Sequence, residues 1–326
     1  MAADGRKPKK DPALIEVLLD LVEPHAAGDP MSTQKWLNCR LKDIRQALAQ
    51  GDHEVSEPVI SRLVAAQGDS LQANVKPAAG THQPERDLQF QYIRAQQRQH
   101  QMRQQPVISV DTKKKELVGN FKNTGRIWCR TPEVVDVHDF PHDAIGRAVP
   151  YGIYDVTFNC GTVYVGQSAD TPTCAVDNIR QWCATELAER FPQATCLLIQ
   201  ADSGGSNGAR SQVWRRQLPV DVADRCGLCV TVCHYPTGTS KWNPVEHRRF
   251  SEISKTWAGV PLRSFEVVLH SIRTTTTQTG RSVRAHLVPT HYPTGVKVSD
   301  EDIAALQCQP HAICPQCNYT LTARTA

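Results

Sequence analysis

The sequence predicts an α/β protein in which a mixed sheet is flanked by helices and preceded by an all-α helix-turn-helix domain. Capped helices fill the first 80 residues, and strand-like apolar runs alternate with amphipathic segments afterwards. A length of 326 residues leaves room for two domains. We expect a helical domain at residues 1–80, a linker helix at 81–105, an α/β domain at 106–260 and its C-terminal extension at 261–326.

Apolar spacing and capping residues predict the helices of the first domain. They are expected at residues 11–22, after Ser32 with Trp36 and Leu37 inside, at 42–49, and at Glu57–Ala66. Ser56 can cap the last of these, which follows a turn. The string suits a helix-turn-helix module whose second helix enters a DNA major groove, although any small helical bundle gives the same string. Arg62 is the strong phosphate or base contact on that helix.

The α/β domain is predicted from short apolar runs bounded by turn residues and from amphipathic segments between them. Strands are expected at residues 107–111, 151–158, 162–166, 196–201 and 228–233, and helices at 175–191, around Trp214, from Glu246 onward and at 264–274. If the first and fourth strands are neighbours, carboxylates at their carboxyl ends meet at one edge of the sheet.

Three carboxylates occupy positions that a purely structural role does not explain. Asp111 ends the first strand, and Asp202 ends the fourth before a glycine-rich turn. Asn243 can N-cap a helix with Pro244 at its first position, which puts Glu246 at the third. Glu246 lies on the same face as apolar residues at i+4, i+7 and i+11, so it points inward. The alternative is that Glu246 merely completes a capping box at the positive end of the helix.

Three acidic groups without a Ser–His or Cys–His pair fit metal-assisted phosphoryl transfer better than acyl transfer. Mg²⁺ prefers oxygen ligands, and two such ions about 3.5–4 Å apart stabilise the attacking and leaving oxygens of an in-line displacement. Lys113 begins a run of three lysines that would attract phosphate beside such a site. The glycines of residues 203–208 lack a following Gly-Lys-Ser/Thr, which argues against a nucleotide-binding loop.

Composition bounds the class of protein. The net charge of +4 permits a nucleic-acid partner without requiring one, and no apolar run is long enough to span a membrane. The polar N-terminus has no signal-peptide pattern, so we expect a cytosolic protein with reduced thiols. Buried thiols are the default for its 12 cysteines, with a zinc site as the alternative. The candidate zinc ligands are Cys308, His311, Cys314 and Cys317.

Several long motifs resemble a known family: VISVDTKKKELVGNF, PYGIYD, LLIQADSGGSNG and VCHYPTGTSKWNPVEHRRFSEI. They closely resemble the DDE transposases of the ISAzo type of bacterial insertion sequence, as do VSEPVISRLVAAQGDSLQANVK and HQPERDLQFQYI. The resemblance implies a ribonuclease-H-like catalytic domain in which Asp111, Asp202 and Glu246 form the acidic triad. It also implies DNA cleavage at transposon ends and joining of the 3′ hydroxyl to target DNA, with Mg²⁺ or Mn²⁺ as two ions in each active site.

The resemblance also defines expected partners and alternatives. Members are usually longer at the N-terminus, so we expect a helical DNA-binding segment to be missing here. The partners would be double-stranded DNA, as terminal repeats and target, and further copies of the chain on DNA, in the bacterial cytoplasm at the nucleoid. The rivals are a DNA-binding protein without catalysis and a ribonuclease or junction nuclease on the same fold. Expected phosphate contacts, which could instead be solvated surface charges, are Lys241, Arg248 and Arg249.

Overall fold

The structure, a computed structural model, divides into two compact units, Met1–Ala78 and Ala79–Ala326. Lys241, one of the expected DNA contacts, lies outside the residues that it describes. The described residues are 13–23, 26–28, 35–37, 40–66, 84–239, 242–276 and 283–324.

The first unit is a small helical cluster with one two-stranded sheet. Its apolar centre is formed by Leu18, Val22, Ile44, Leu48 and Ile60, all buried. Its elements are α1 (Leu14–Val22), β1 (Ala26–Gly28), β2 (Lys35–Leu37), α2 (Leu41–Gln50) and α3 (Glu57–Ala66).

The prediction of a helix after Ser32 that contains Trp36 and Leu37 is wrong. Trp36 and Leu37 instead lie in β2, which pairs with β1 in antiparallel register, Ala27 opposite Trp36. Tryptophan favours strands, and a segment this short forms too few turns to nucleate a helix. The unit is therefore not all-α.

In the first unit α2, a turn and α3 follow one another in the order that the sequence predicts. α3 follows a turn and exposes Arg62, whose Nε lies 3.4 Å from the Pro58 carbonyl oxygen one turn back. The guanidinium remains on the surface, so a DNA contact by this residue stays a prediction.

The second unit begins with a long helix and then builds a sheet. α4 spans Pro84–Met102. The strands are β3 (Val107–Thr112), β4 (Glu116–Val118), β5 (Gly146–Asp155), β6 (Cys160–Gly166), β7 (Cys196–Ala201), β8 (Cys229–His234), β9 (Val283–Val288), β10 (Cys308–Pro310) and β11 (Asn318–Leu321). The helices are α5 (Pro172–Trp182), α6 (Ala188–Arg190), α7 (Gln212–Gln217), α8 (Asp224–Cys226), α9 (Ser251–Thr256), α10 (Phe265–Arg273) and α11 (Asp300–Ala304).

Within the described residues the sheet has nine strands in the order β10-β11-β8-β7-β3-β5-β6-β9, with β4 paired to β5 off this path. β3 is central: it pairs antiparallel with β5 and parallel with β7, and β7 pairs parallel with β8. The first and fourth predicted strands are therefore neighbours in the sheet, which is the condition for their terminal carboxylates to meet at one edge. Numbered along the chain, the five central strands have the order 3-2-1-4-5 with strand 2 antiparallel, which is the ribonuclease-H-like arrangement.

The C-terminal extension completes both edges of this sheet. β9 pairs parallel with β6 at one edge, and β11 pairs antiparallel with β8 near the other. Because strands at both edges come from residues after 260, the extension is part of the same sheet rather than an appendage.

Helices cover both faces of the sheet. On one face Trp182 and Trp214 are fully buried among side chains of β3, β7 and β8. On the other face Phe250, Trp257 and Ile272 form the centre of a second apolar cluster with β5, β6 and β9. No helix among the described residues is long and apolar enough to cross a bilayer.

The expected linker helix, α4, packs on the sheet of the second unit. Ile93 is 2% exposed and lies among Val107, Leu198, Cys233 and Tyr235. These contacts cover the sheet face from which Ser109 and Asp111 also project, because side chains alternate along β3. The helix is therefore an integral part of the core of the second unit.

Replacing Ile93 tests this packing. We expect Ile93→Ala to lower the free energy of unfolding of the second unit by about 2–4 kcal/mol, since it removes a fully buried side chain. Leu88→Ala is the matched control: Leu88 lies on the same helix but is 46% exposed, so its change should stay within about 0.5 kcal/mol. Urea unfolding of both variants measures the difference, and equal small losses would mean that α4 is only a connector.

Candidate active site

Strand register brings Asp111 and Asp202 together. β3 and β7 are parallel neighbours with Val110 opposite Ala201. Asp111 is the next residue of β3, and Asp202 directly follows the end of β7. Neighbouring strands lie about 4.8 Å apart, so the two side chains leave the sheet at adjacent positions. This is the carboxyl end of the central strands, where open α/β sheets bind ligands.

The segment before Glu246 is held at the same edge by a buried set of hydrogen bonds to β3, the Ser109 clamp, which Ser109 forms with Asn243 and Val245. The Ser109 hydroxyl donates to Asn243 Oδ1, and Asn243 Nδ2 donates to the Val110 carbonyl oxygen at 3.2 Å. The Ser109 hydroxyl also accepts from the Val245 amide at 3.1 Å. Ser109 and Asn243 are both fully buried. The segment before Glu246 is therefore tied to β3 two residues before Asp111.

The helix begins at Pro244 with Asn243 directly before it, as the sequence predicts. The Asn243 side chain does not cap this helix, because it binds β3, and the Val245 amide donates to the Ser109 hydroxyl instead. Glu246 is accordingly not half of a capping box, the alternative weighed for it above. The apolar stripe below it is confirmed, because Phe250, Ile253 and Trp257 are all buried.

Gly152 on β5 lets the Glu246 segment approach the sheet closely. A Cβ at this position would lie 2.5 Å from Phe250 Cε1 and 2.9 Å from Val245 Cγ2. Any side chain would therefore push away the residues on both sides of Glu246. Glycine here serves close packing rather than an unusual backbone angle.

The three carboxylates lie close enough to repel one another. Burial raises the pKa of Asp111 to about 7, with further increases from Asp202, Glu246 and Asp170 and a decrease from the Thr112 amide that it accepts from. Burial also raises the pKa of Asp202 and of Glu246. Repulsion from Asp202 adds to the increase for Glu246, and the charge of Lys113 opposes it.

The donor set fits a divalent cation. Three partly buried carboxylates offer oxygen ligands, and their mutual repulsion is relieved by a positive charge. Asp111, Asp202 and Glu246 are the residues that could hold it. Within the described residues no three His, Cys, Asp or Glu side chains stand together as a ready metal cluster, so the metal assignment rests on this donor chemistry.

Asp170 is a fourth carboxylate at this edge that sequence reasoning missed. Thr112 Oγ1 donates to its Oδ1 at 3.1 Å, and Lys115 Nζ lies 3.4 Å from its Oδ2. Asp170 also contributes to the raised pKa of Asp111. In the sequence it precedes Thr-Pro at a helix start, where an acidic residue has an ordinary structural explanation.

Lys113 lies inside the site rather than on its surface. Its Nζ donates to Glu116 Oε1 at 3.1 Å and lies 4.4 Å from the centroid of the Trp257 ring. Burial lowers the pKa of Lys113, while Glu116 and Glu246 raise it. With 7% of the residue exposed, the ammonium is better placed to neutralise Glu246 than to bind DNA phosphate.

A half-open cleft of about 960 Å³ begins at Glu246. Lys114 and Lys122 are exposed along it and form no ion pair within the described part of the chain. The sequence analysis includes Lys114 in its run of three lysines after Asp111, but it does not identify Lys122. Residues lining the cleft include Lys114, Lys115, Lys122, Asn123, Ser251 and Ser254.

The two arginines expected to contact DNA differ in their surroundings. Arg248 is exposed, and its Nη1 donates to the Tyr154 hydroxyl at 3.1 Å. Arg249 is 2% exposed, and its Nη2 donates to Asn159 Oδ1 at 3.2 Å. Its side chain also fills the space over Gly161, where a Cβ would lie 2.5 Å from Arg249 Cδ. This geometry gives Arg249 a structural role instead of the expected phosphate contact.

The C-terminal cysteine cluster shows no arrangement for zinc within the described residues. His311 uses both ring nitrogens elsewhere: Nδ1 lies 2.6 Å from the Tyr92 hydroxyl and Nε2 lies 2.8 Å from Thr320 Oγ1. A histidine held in this way between α4 and β11 serves to join the helix to the sheet.

The fold and its carboxylates define a class: a ribonuclease-H-like α/β protein with two aspartates at the carboxyl ends of its central strands and a glutamate on a helix that is hydrogen-bonded to the same strand. The family model described as the Rhodopirellula transposase DDE domain matches residues 17–323. The chain belongs to this transposase family, and the resemblance found in its motifs is confirmed.

Solved structures of another transposase resemble the chain only distantly. The Mos1 transposase paired-end complex with left transposon end is 12% identical over 82% of this chain and 71% of that chain, with a TM-score of 0.40. The pre-cleavage Mos1 transpososome is 11% identical over 82% and 72%, with a TM-score of 0.39. The Mos1 mariner paired end complex with Mn is 12% identical over the same shares, also at 0.39. None of the curated proteins matches the chain.

The raised pKa of Asp111 predicts a pH-dependent stability. Its folded pKa of about 7 exceeds the unfolded value near 3.8, so the protonated form is favoured by folding. The contribution of protonated Asp111 to the free energy of unfolding is complete below about pH 4 and is lost as the pH rises through about 7. In metal-free buffer Asp111→Asn should therefore be more stable than the unmodified protein by about 2–4 kcal/mol at pH 8.

The same advantage should vanish at pH 4, which urea unfolding at the two pH values measures. Asp139→Asn is the control, since this carboxylate is exposed and its change should stay within about 0.5 kcal/mol at both pH values. An Asp111→Asn variant less stable than the unmodified protein at pH 8 would contradict the electrostatics described above.

Proposed function

We propose that the chain is a DNA transposase that cleaves transposon ends and joins the resulting 3′ hydroxyls to target DNA by metal-dependent phosphoryl transfer. One observation supports this most strongly. The chain is a member of a transposase family. Val110 and Ala201, the residues directly before Asp111 and Asp202, pair across β3 and β7, and the segment before Glu246 is hydrogen-bonded to Ser109 on β3. A ribonuclease without DNA joining or a junction nuclease has no comparable support.

Asp111 and Asp202 would hold both metal ions, and Glu246 would complete the second site. When bound, two Mg²⁺ or Mn²⁺ ions would activate the attacking oxygen and stabilise the leaving oxygen. The Thr112 amide fixes Asp111 by donating to its Oδ1 at 2.7 Å. Lys113 favours the ionised form of Glu246, the form that can bind a cation.

DNA would approach along the basic cleft beside Glu246. Lys114 and Lys122 supply cations for phosphates without first breaking an ion pair, and Ser251 and Ser254 supply hydroxyls. Phosphate contacts of this kind position DNA without reading its sequence. Arg248 and Lys241 would contribute further phosphate contacts.

The remaining assignments follow from the proposed activity. The first unit would bind DNA, with α3 and Arg62 at the major groove. Two transposon ends must be paired before joining, so the active form would be at least a homodimer on double-stranded DNA. A protein with this role would act in the bacterial cytoplasm at the nucleoid.

The decisive variant is Asp202→Asn. On duplex DNA carrying the genomic sequences that flank the gene, we expect it to lose Mg²⁺-dependent nicking by at least about 1000-fold, since a metal ligand is removed. DNA affinity measured by gel shift should change less than about threefold. Glu301→Gln, an exposed carboxylate on α11, should nick like the unmodified protein.

The double variant Lys114→Ala/Lys122→Ala should show the reverse pattern. Its DNA affinity and the salt dependence of that affinity should fall, with a slope reduced by about 2 because two phosphate contacts are lost. Its dependence on metal concentration should stay unchanged. Nicking that survives in Asp202→Asn, or DNA binding by the unmodified protein without nicking in any metal, would overturn the proposal.

A further inference from the structure

A fully buried histidine lies directly behind Asp202. His234 is the last residue of β8 and stands opposite Ala201 in the parallel register of β7 and β8. Its Nδ1 lies 3.0 Å from the Asp202 carbonyl oxygen, and its Nε2 lies 3.4 Å from the Tyr319 hydroxyl. The roles assigned above to the acidic residues do not use it.

The two hydrogen bonds of the His234 ring allow only one assignment of donors and acceptors when the imidazole is neutral. A carbonyl oxygen can only accept, so Nδ1 carries the proton and donates to Asp202. In a neutral imidazole Nε2 then accepts, and the Tyr319 hydroxyl donates to it. The Tyr319 oxygen in turn accepts from Trp214 Nε1 at 3.0 Å. All three side chains are completely buried, so no water competes for these bonds.

The residues on both sides of Asp202 are held by other hydrogen bonds. The Tyr235 amide donates to the Ala201 carbonyl oxygen at 2.8 Å, the Ser203 hydroxyl donates to the Tyr235 carbonyl oxygen, and the Ala209 amide donates to the Ser203 carbonyl oxygen at 3.3 Å. Beyond Ser203 the chain continues into Gly204 and Gly205, and a Cβ at either glycine would touch nothing within 4 Å. The bond from His234 acts on the Asp202 carbonyl itself, between neighbours that these other bonds hold in place.

The backbone of His234 is itself held from outside the strand. Gln89 on α4 donates from Nε2 to the His234 carbonyl oxygen at 2.8 Å. The His234 amide donates to the Cys317 carbonyl oxygen at 3.0 Å. α4 and the C-terminal extension thus both hydrogen-bond to the backbone of His234, the residue whose side chain binds the Asp202 carbonyl oxygen.

We propose that His234 is a positioning residue: by donating to the Asp202 carbonyl oxygen, and with its tautomer fixed by Tyr319 and Trp214, it sets the direction of the Asp202 carboxylate toward Asp111. This role rests on the proposed function, because it concerns the same metal-binding carboxylates. Residues that orient metal ligands through hydrogen bonds typically change metal affinity 10–100-fold when replaced.

Two isosteric replacements distinguish positioning from packing. Asparagine places its amide nitrogen near the position of Nδ1, so His234→Asn keeps the donor to Asp202. Glutamine places its amide near Nε2, so His234→Gln loses that donor. We expect His234→Gln to raise the Mn²⁺ concentration for half-maximal nicking at least about tenfold, and His234→Asn to stay within about threefold of the unmodified protein. DNA affinity should not change in either.

His100 provides a matched control. It is also buried, and its Nδ1 lies 2.9 Å from the Gln96 carbonyl oxygen within α4, away from the carboxylates. His100→Gln should alter stability but leave the Mn²⁺ requirement within about twofold. If His234→Gln does not fold, Tyr319→Phe removes the hydroxyl that fixes the tautomer and should raise the Mn²⁺ requirement in the same direction.

Mn²⁺ binding to the full chain without DNA, followed by electron paramagnetic resonance, should give the same ranking of variants. Unchanged Mn²⁺ affinity in both His234→Gln and Tyr319→Phe, or equal losses in His234→Asn and His234→Gln, would overturn the positioning role. Failure of the proposed function looks different: the unmodified protein would bind Mn²⁺ but nick no DNA, and the ranking of Mn²⁺ affinities would still decide the role of His234.

Discussion

The bond between Ser109 and Asn243 is the contact on which the geometry of the site depends. Ser109 lies two residues before Asp111, and Asn243 lies three residues before Glu246, so one buried pair sets the distance between two distant parts of the chain. Neither side chain is accessible to water. A buried polar pair whose groups are satisfied by each other is costly to separate, because each partner would then be left unpaired. The rest of the site follows from the register of parallel strands.

The hydrogen bonds that hold the site keep three carboxylates together although burial and repulsion disfavour their negative charges. Burial and mutual repulsion both disfavour charge on the three carboxylates, and a pKa of about 7 for Asp111 shows how strongly. A protein that needed only stability would not gather these groups at one sheet edge. Such tension is typical of functional sites, where the fold holds groups in positions that a ligand then favours. Lys113 relieves part of it next to Glu246, and Asp170 adds to it next to Asp111.

Local patterns were sufficient to predict the five central strands and the positions of the carboxylates, but not β4 or the strands of the C-terminal extension. Asp111 and Asp202 end apolar runs, and the spacing of Phe250, Ile253 and Trp257 shows which helix face Glu246 occupies; these are properties of neighbouring residues. The position of Asn243 directly before a helix was predicted, but the partner of its side chain was not, because Ser109 is 134 positions away and helix-capping rules consider only near neighbours. The helix after Ser32 failed for a similar reason, since β2 exists only through its pairing with β1. The burial of Lys113 and Arg249 also depends on tertiary packing, which charge patterns do not reveal.

The central claim is that Asp111, Asp202 and Glu246 converge to bind divalent metal. Anomalous diffraction from crystals of the full chain grown with Mn²⁺ tests it most directly. The account predicts manganese between the carboxylates of Asp111 and Asp202, with Glu246 positioned to reach a second ion about 3.5–4 Å from the first. Ordered manganese bound only at other residues, or a Glu246 side chain directed away from the two aspartates, would contradict it.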